Sequence, residues 1–279
     1  MKPIYLSIIA LFIIFVSCEK DVDIELPAVK PQLVVFGVVS PEDTATRIQV
    51  RKSKPYFGHN SEDYFNVIED ALVKITHNKR EYILPFDEAS STYRVDSSVL
   101  RIVPGAKYSL EVEVDNFPIA TSTITIQKNV NRTLDLVSIS ENDQDITEFK
   151  VKWHDNEQEK NYYRLTGYYE LVENTNEYYS GGILDNDEMY LFDDVNWNGE
   201  WKESNGLRTN ESATKTVYLK LLTVDYHYYQ YHKTVWLQYD QGVSPFSEPT
   251  LIYSNIENGL GVFCSYRDYT LPKNWEIVD

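Results

Sequence analysis

The sequence predicts a mainly β protein: an N-terminal immunoglobulin- or fibronectin-like β-sandwich, followed by a second β-rich, sandwich-like unit carrying one helix. Three observations lead there. The chain is 42% apolar with 22 Tyr, 11 Phe and 5 Trp, too rich for disorder, and its wealth of Val, Ile and Thr beside few Ala favours sheet. Short runs alternate apolar and polar residues, with Gly, Pro and Asn between them. One stretch alone, near 225–239, repeats at a helical period instead.

Before the first strand comes a leader. Lys2 precedes an apolar run over 4–16, and the composition flips after Ser17-Cys18 to Glu19-Lys20-Asp21-Val22-Asp23. A basic start, a short apolar core and a small residue before a cleavage point read as a signal peptide over 1–17. The run is shorter than the roughly 18 residues a membrane span needs. Cys18 directly after Ser17 resembles a bacterial lipobox in a relaxed form, lacking the usual Leu three positions before the Cys. In that reading Cys18 is the acylated N-terminus and 18–30 a tether. Acyl chains contribute about 0.8 kcal/mol per buried methylene, so two or three of them hold a protein at a membrane. The alternative is an ordinary signal peptide with an incidental Cys. Glu19, Lys20, Asp21 and Asp23 resemble the acidic surface-export signals of Bacteroidota lipoproteins, which implies display outside the cell.

The first unit is expected over 31–127. Residues 32–39 are a dense β-branched run, and 46–52 place Ile48 and Val50 on one face against Arg47, Gln49 and Arg51. Residues 54–70 mix aromatic and acidic side chains without a period and read as a long loop. Two strands follow, over 71–77 and 80–86, joined by an Asn78-Lys79 turn. After a short strand at 92–95 and a Pro104-Gly105 turn, Tyr108, Leu110, Val112 and Val114 alternate with Ser109, Glu111 and Glu113, the cleanest half-buried strand in the chain. Asp115-Asn116 turns it into 119–126. Seven short strands in about a hundred residues fit a sandwich. The polar segment 127–132 looks like a connection.

The second unit, 128–279, offers strands near 135–140, 149–153, 162–172, 189–192, 216–224 and 261–266. In its helix Tyr228, Tyr231, Val235 and Tyr239 share a face, with Asp225 as N-cap and Gln241-Gly242 as stop. Such a stripe is a helix packed on a sheet or, alternatively, a ligand-stacking surface. Gly259 and Gly261 fit a bend or close backbone approach that closes this second unit.

Several segments together resemble the Bacteroidota lipoproteins of the DUF4249 family. They are the lipobox with its acidic sequel, Pro31-Gln32-Leu33-Val34-Val35-Phe36-Gly37, Pro104-Gly105-Ala106-Lys107-Tyr108, the Tyr-rich helix, and above all Ser254-Asn255-Ile256 … Gly259-Leu260-Gly261-Val262-Phe263. The resemblance implies an outer-membrane lipoprotein encoded beside TonB-dependent transporters. It transfers no catalytic motif.

Chemistry-bearing patterns are sparse. The net charge of −17 repels phosphates and anionic headgroups, so nucleic acid is not an expected partner. With Cys18 acylated, Cys264 has no disulfide partner and reads as a buried thiol. Asp194, Asn196 and Asn198, ending at Gly199, match the first half of a calcium loop, but the position wanting a bidentate Glu is Asn205. The competing reading is an acidic loop in which two strands meet at an Asn-Gly turn, beside Trp197 and Trp201. The five His form no metal spacing. A nucleophile elbow, a phosphate loop and a dinucleotide fingerprint are absent, so neither catalysis nor a cofactor is expected. Asp43-Thr44-Ala45 resembles the acceptor triplet of Bacteroidota O-glycosylation. The resemblance implies an accessory subunit of a TonB-dependent barrel, and the aromatic-acidic loops offer Tyr56, Phe57, Trp197 and Trp201 as contact residues. The alternative is a stand-alone surface module binding glycans or peptides.

Overall fold

The computed structural model describes residues 30–53, 67–141, 147–157, 159–172, 178–182, 190–204, 206–209, 215–241, 250–270 and 275–277. Its first eight strands are β1 (Leu33–Val39), β2 (Ala45–Lys52), β3 (Leu72–His77), β4 (Arg80–Leu84), β5 (Phe86–Asp87), β6 (Thr92–Asp96), β7 (Lys107–Glu113) and β8 (Ala120–Thr125). There follow β9 (Asp135–Glu141), β10 (Thr147–His154), β11 (Tyr162–Val172), β12 (Tyr178–Gly182), β13 (Leu191–Asp193), β14 (Trp201–Glu203), β15 (Leu207–Thr209) and β16 (Lys215–Val224). The helix α1 (Tyr226–Gln241), then β17 (Leu260–Thr270) and β18 (Trp275–Ile277), complete the described elements. The protein is mainly β and built of sandwich-like layers.

Those layers are three sheets. The largest runs β12-β11-β16-β17-β1-β2-β6-β5, with β13 on β11 and β18 on β16. One four-stranded sheet is β4-β3-β7-β8, and the other is β14-β10-β15 with β9 on β10. At the centre β1 pairs antiparallel with β2 and parallel with β17, Val34 opposite Leu260 and Gly37 opposite Phe263. Strands from the first and last parts of the chain thus lie side by side in one sheet.

Alternation assigns each face of that sheet a partner. On β1 the pattern is strict: Leu33, Val35 and Val39 turn toward the β4-β3-β7-β8 sheet, joining Ile48, Val50, Val73, Ile75 and Leu110 in a first core. Phe36 and Val38 turn the other way, onto the cluster that α1 covers with Tyr228 and Tyr229. Further along the sheet, Leu165, Leu219 and Leu221 pack with Phe149, Val151 and Trp153 of the β14-β10-β15 sheet in a second core. Fully burying each such aliphatic side chain contributes about 1.5–3 kcal/mol.

Turn chemistry follows the sequence. Asn78 and Lys79 both hold positive φ (49° and 64°), the two-residue hairpin geometry whose twist matches the strands. Gly105 and Asn116 take positive φ at the two turns flanking β7. On β7, Tyr108 is buried and its hydroxyl donates to the Arg101 carbonyl at 2.9 Å while accepting from the Val103 N–H at 2.9 Å.

Two expectations need correction. Of the predicted helical stripe, Tyr228 is buried and Tyr231 lies against Phe36, but Tyr239 is 78% exposed. Tyr229, one position off the stripe, is buried instead, because it reaches β13 and donates its hydroxyl to Asp193 at 2.9 Å. The segment around Asn255 and Gly261 closes the first sandwich rather than the second unit. Asn255 imitates a strand, donating to the Phe263 carbonyl at 2.7 Å and accepting its N–H at 2.9 Å. Ile256 enters the first core, and Glu257 exchanges backbone hydrogen bonds with Thr121 of β8.

Candidate functional site

Residues 1–29, Cys18, Glu19, Lys20, Asp21 and Asp23 included, lie outside the described residues, as do Tyr56 and Phe57. Asp194, Asn196, Trp197, Asn198 and Trp201 lie inside them.

The 194–199 loop does not join two strands of a hairpin. β13 before it pairs with β11 of the central sheet, and β14 after it pairs with β10 of the small sheet. The loop therefore bridges the two layers at the rim of the second core. Two successive turns shape it, Trp197 N–H to the Asp194 carbonyl at 3.0 Å and Glu200 N–H to the Trp197 carbonyl at 2.9 Å. Gly199 holds φ +73°, and a Cβ there would stand 2.7 Å from Glu157 Cβ.

Carboxylates fasten this bridge from inside. Asp194, 3% exposed, accepts the Asn161 N–H at 2.7 Å. Asp155, equally buried, accepts the Gly199 N–H at 2.9 Å on one oxygen and the Tyr163 hydroxyl at 2.6 Å on the other. Burial raises the Tyr163 phenol, and the Asp155 carboxylate that receives its proton raises it further. Paired in this way, buried carboxylates avoid the cost of an unsatisfied charge. Asp194 and Asn198 do line one open hollow of about 370 Å³, with Glu157, Glu159, Val195 and Lys160. Asn196 points out to solvent. Among the described residues no three His, Cys, Asp or Glu side chains are grouped to hold a metal ion.

The two tryptophans part company. Trp197 is half-buried, its ring edge-on to Trp153 at 6.0 Å and tilted against Tyr163 at 5.8 Å. It is a wedge of the second core. Trp201 is 53% exposed on β14, cross-strand from His154, whose ring it meets edge-on at 5.4 Å. The Lys152 ammonium lies 5.1 Å from its centroid. The same outer face carries Glu148, bridged to Arg208 at 3.0 Å and to Lys150 at 3.6 Å. An exposed indole thus sits on a charged face where Lys152, Lys150 and Arg208 surround the single carboxylate of Glu148.

The family is decided by the whole chain. The model described as "Domain of unknown function (DUF4249)" matches residues 19–271. The chain belongs to the DUF4249 family. No curated protein matches it. Among solved structures, the selenomethionine-substituted chicken interferon gamma receptor alpha chain is similar at 10% identity, over 70% of this chain and 91% of that one. Its TM-score is 0.21, too low to bear on the fold. The Ser254–Phe263 signature quoted for the resemblance is, on this DUF4249 structure, the clamp between β8, β1 and β17.

Sequence reasoning missed two constellations. Asp225, 5% exposed, does more than cap α1: one oxygen accepts the Tyr228 N–H at 2.8 Å, and the other accepts both Ser265 N–H at 2.7 Å and Ser265 Oγ–H at 2.8 Å. It ties helix to strand, although burial pushes its carboxyl up. The N-cap pattern was visible, but the second partner lies forty residues away. The other is a ring cluster at the start of α1. Tyr226 is 46% exposed and lies 5.8 Å from Tyr162 and 6.0 Å from Tyr253, whose hydroxyl is 2.7 Å from His227 Nδ1.

Proposed function

We propose that this DUF4249 protein is a non-catalytic lipoprotein of the outer membrane, held by acylated Cys18 and displayed on the cell surface. It serves there as an accessory subunit of a TonB-dependent barrel, in capture or uptake of the barrel's ligand. The observation that carries the contact role is Trp201, an indole left 53% exposed on a face of charged side chains. A large aromatic within a polar rim is the composition of an interface hot spot. The internal use of Asp155, Asp194 and Asp225 supports a binding role over acid–base chemistry. A tether from Cys18 holds the body near other components of its membrane at high effective concentration.

The second reading, a stand-alone module for glycans or peptides, draws on the exposed Tyr226 ring beside Tyr253. The experiment is co-purification from detergent-solubilised outer membranes after cross-linking in living cells. A barrel recovered with wild type, and recovered several-fold less with Trp201→Ala or with Tyr56→Ala/Phe57→Ala, supports the accessory role. Recovery of the protein alone leaves the stand-alone module.

A further inference from the structure

We infer that the outer edge of β9 takes up an extended strand from a partner protein whose apolar residues alternate with basic ones. This deepens the accessory reading by naming where the partner joins, but it stands on the geometry of the edge. Strand β9 pairs with β10 on one side, and no described strand pairs with its other side. Residues 137–140 are all exposed, and Val137 and Ile139 are each 43% exposed. Between Asp135 and Glu141 the strand has neither charge nor proline, the usual protections of a free edge. A bulge leaves Val137 without a partner on β10 and bends the strand there, while Ser138, Ile139, Ser140 and Glu141 stay in register with Lys150, Phe149, Glu148 and Thr147. Ile139 shares the side of buried Phe149, so it extends the apolar inner face of this sheet beyond its cover.

Several other edges are handled differently. β4 begins with Arg80 and Glu81, β8 is bridged by Glu257, and β5, β14, β15 and β18 have two or three residues each. An unpaired edge with apolar alternate residues is the receiving half of strand addition, where backbone hydrogen bonds supply affinity and side chains supply choice.

Charge selects the occupant. Two copies joined antiparallel through β9 in full overlap would set Asp135 against Glu141 twice, and each copy brings a net charge of −17. Like charges directly opposite destabilise a pair. The strand already in place shows the complement: β10 sets Lys152 opposite Asp135 and Lys150 opposite Ser138.

The test uses the full-length protein in detergent and a fluorescent octapeptide alternating valine and lysine, followed by anisotropy. Saturable binding is expected, weakened at least tenfold by Ile139→Lys and by Ser140→Lys, with both variants melting as wild type does. A peptide N-methylated on alternate residues, which blocks the backbone ladder, should not bind. Absence of binding, equal binding of the N-methylated peptide or of one with glutamate for lysine, or binding unchanged in both variants overturns the proposal. So does sedimentation showing a dimer that Ile139→Lys dissociates, since the occupant is then a second copy. Peptide capture without a co-purifying barrel keeps this inference and removes the accessory reading.

Discussion

At the residue scale, single atoms decide what is tolerated. Gly261 holds φ +106°, and a Cβ there would lie 2.0 Å from the Val35 carbonyl oxygen. Because that carbonyl belongs to the parallel β1–β17 ladder, the neighbour cannot yield without opening the sheet. Gly261→Val should cost about 3–5 kcal/mol, combining left-handed backbone strain with overpacking. A urea midpoint equal to wild type would refute this. Trp197 and Trp201 offer a paired experiment. Trp197→Ala empties a site among Trp153 and Tyr163 and should cost about 3–5 kcal/mol. Trp201→Ala removes an exposed ring and should stay within about 1 kcal/mol of wild type. Equal destabilisation by the two would contradict their placement.

At the scale of elements, α1 is held by one carboxylate at its start and by aromatic rings beneath. Asp225→Ala removes the cap and strands the Ser265 hydroxyl in the interior, so a loss of about 2–3 kcal/mol is expected in denaturant titrations. His232, its ring tilted against Tyr228 at 4.3 Å, has its pKa lowered to about 4 by burial and by the nearby Arg164. An unfolded His takes up its proton near pH 6.5. Between that value and 4 the unfolded chain therefore binds more protons than the folded one, and stability falls as pH falls through this window. The loss is roughly 3 kcal/mol at most. His232→Gln should flatten the pH dependence of the urea midpoint between 6.5 and 4. An unchanged slope would show that other groups carry it.

At the scale of the molecule, one sheet joins both parts of the chain, and polar ties secure the joint. Arg267 of β17, 7% exposed, donates to Glu42 at 2.7 Å and to the Gln127 and Lys128 carbonyls at 3.1 and 3.2 Å. Tyr266 donates to Asp43 at 2.7 Å. The β1–β2 turn, the 127–132 connection and β17 are thereby fastened together. The proposed attachment to the membrane is tested at this scale too. Cys18→Ala should release the protein from membranes after a high-pH wash. Changing Glu19, Asp21 and Asp23 together to Ala should abolish its protease accessibility in intact cells, and unchanged accessibility would overturn the surface-export reading.

Beside a family signature extending over most of the chain, what the sequence determined by itself was local: alternation on β2 and β7, the Asn78-Lys79 turn and the Asp225 cap. Each is set by period, backbone preference or hydrogen bonding within a few residues. The 194–199 loop was legible as a sharp, Gly-ended turn rich in oxygen atoms, but not what holds it. Asn161, which donates to Asp194, and Asp155, which accepts from Gly199 N–H and from Tyr163, come from elsewhere in the chain. Only the tertiary structure decided that Trp197 is core while Trp201 is surface, since both stand in the same acidic, aromatic stretch. It also placed β17 parallel to β1 and gave the Gly261 segment to the first sandwich. Contacts between residues more than two hundred positions apart leave no periodic trace along the chain, because periodicity records which face a residue takes and not which strand meets it.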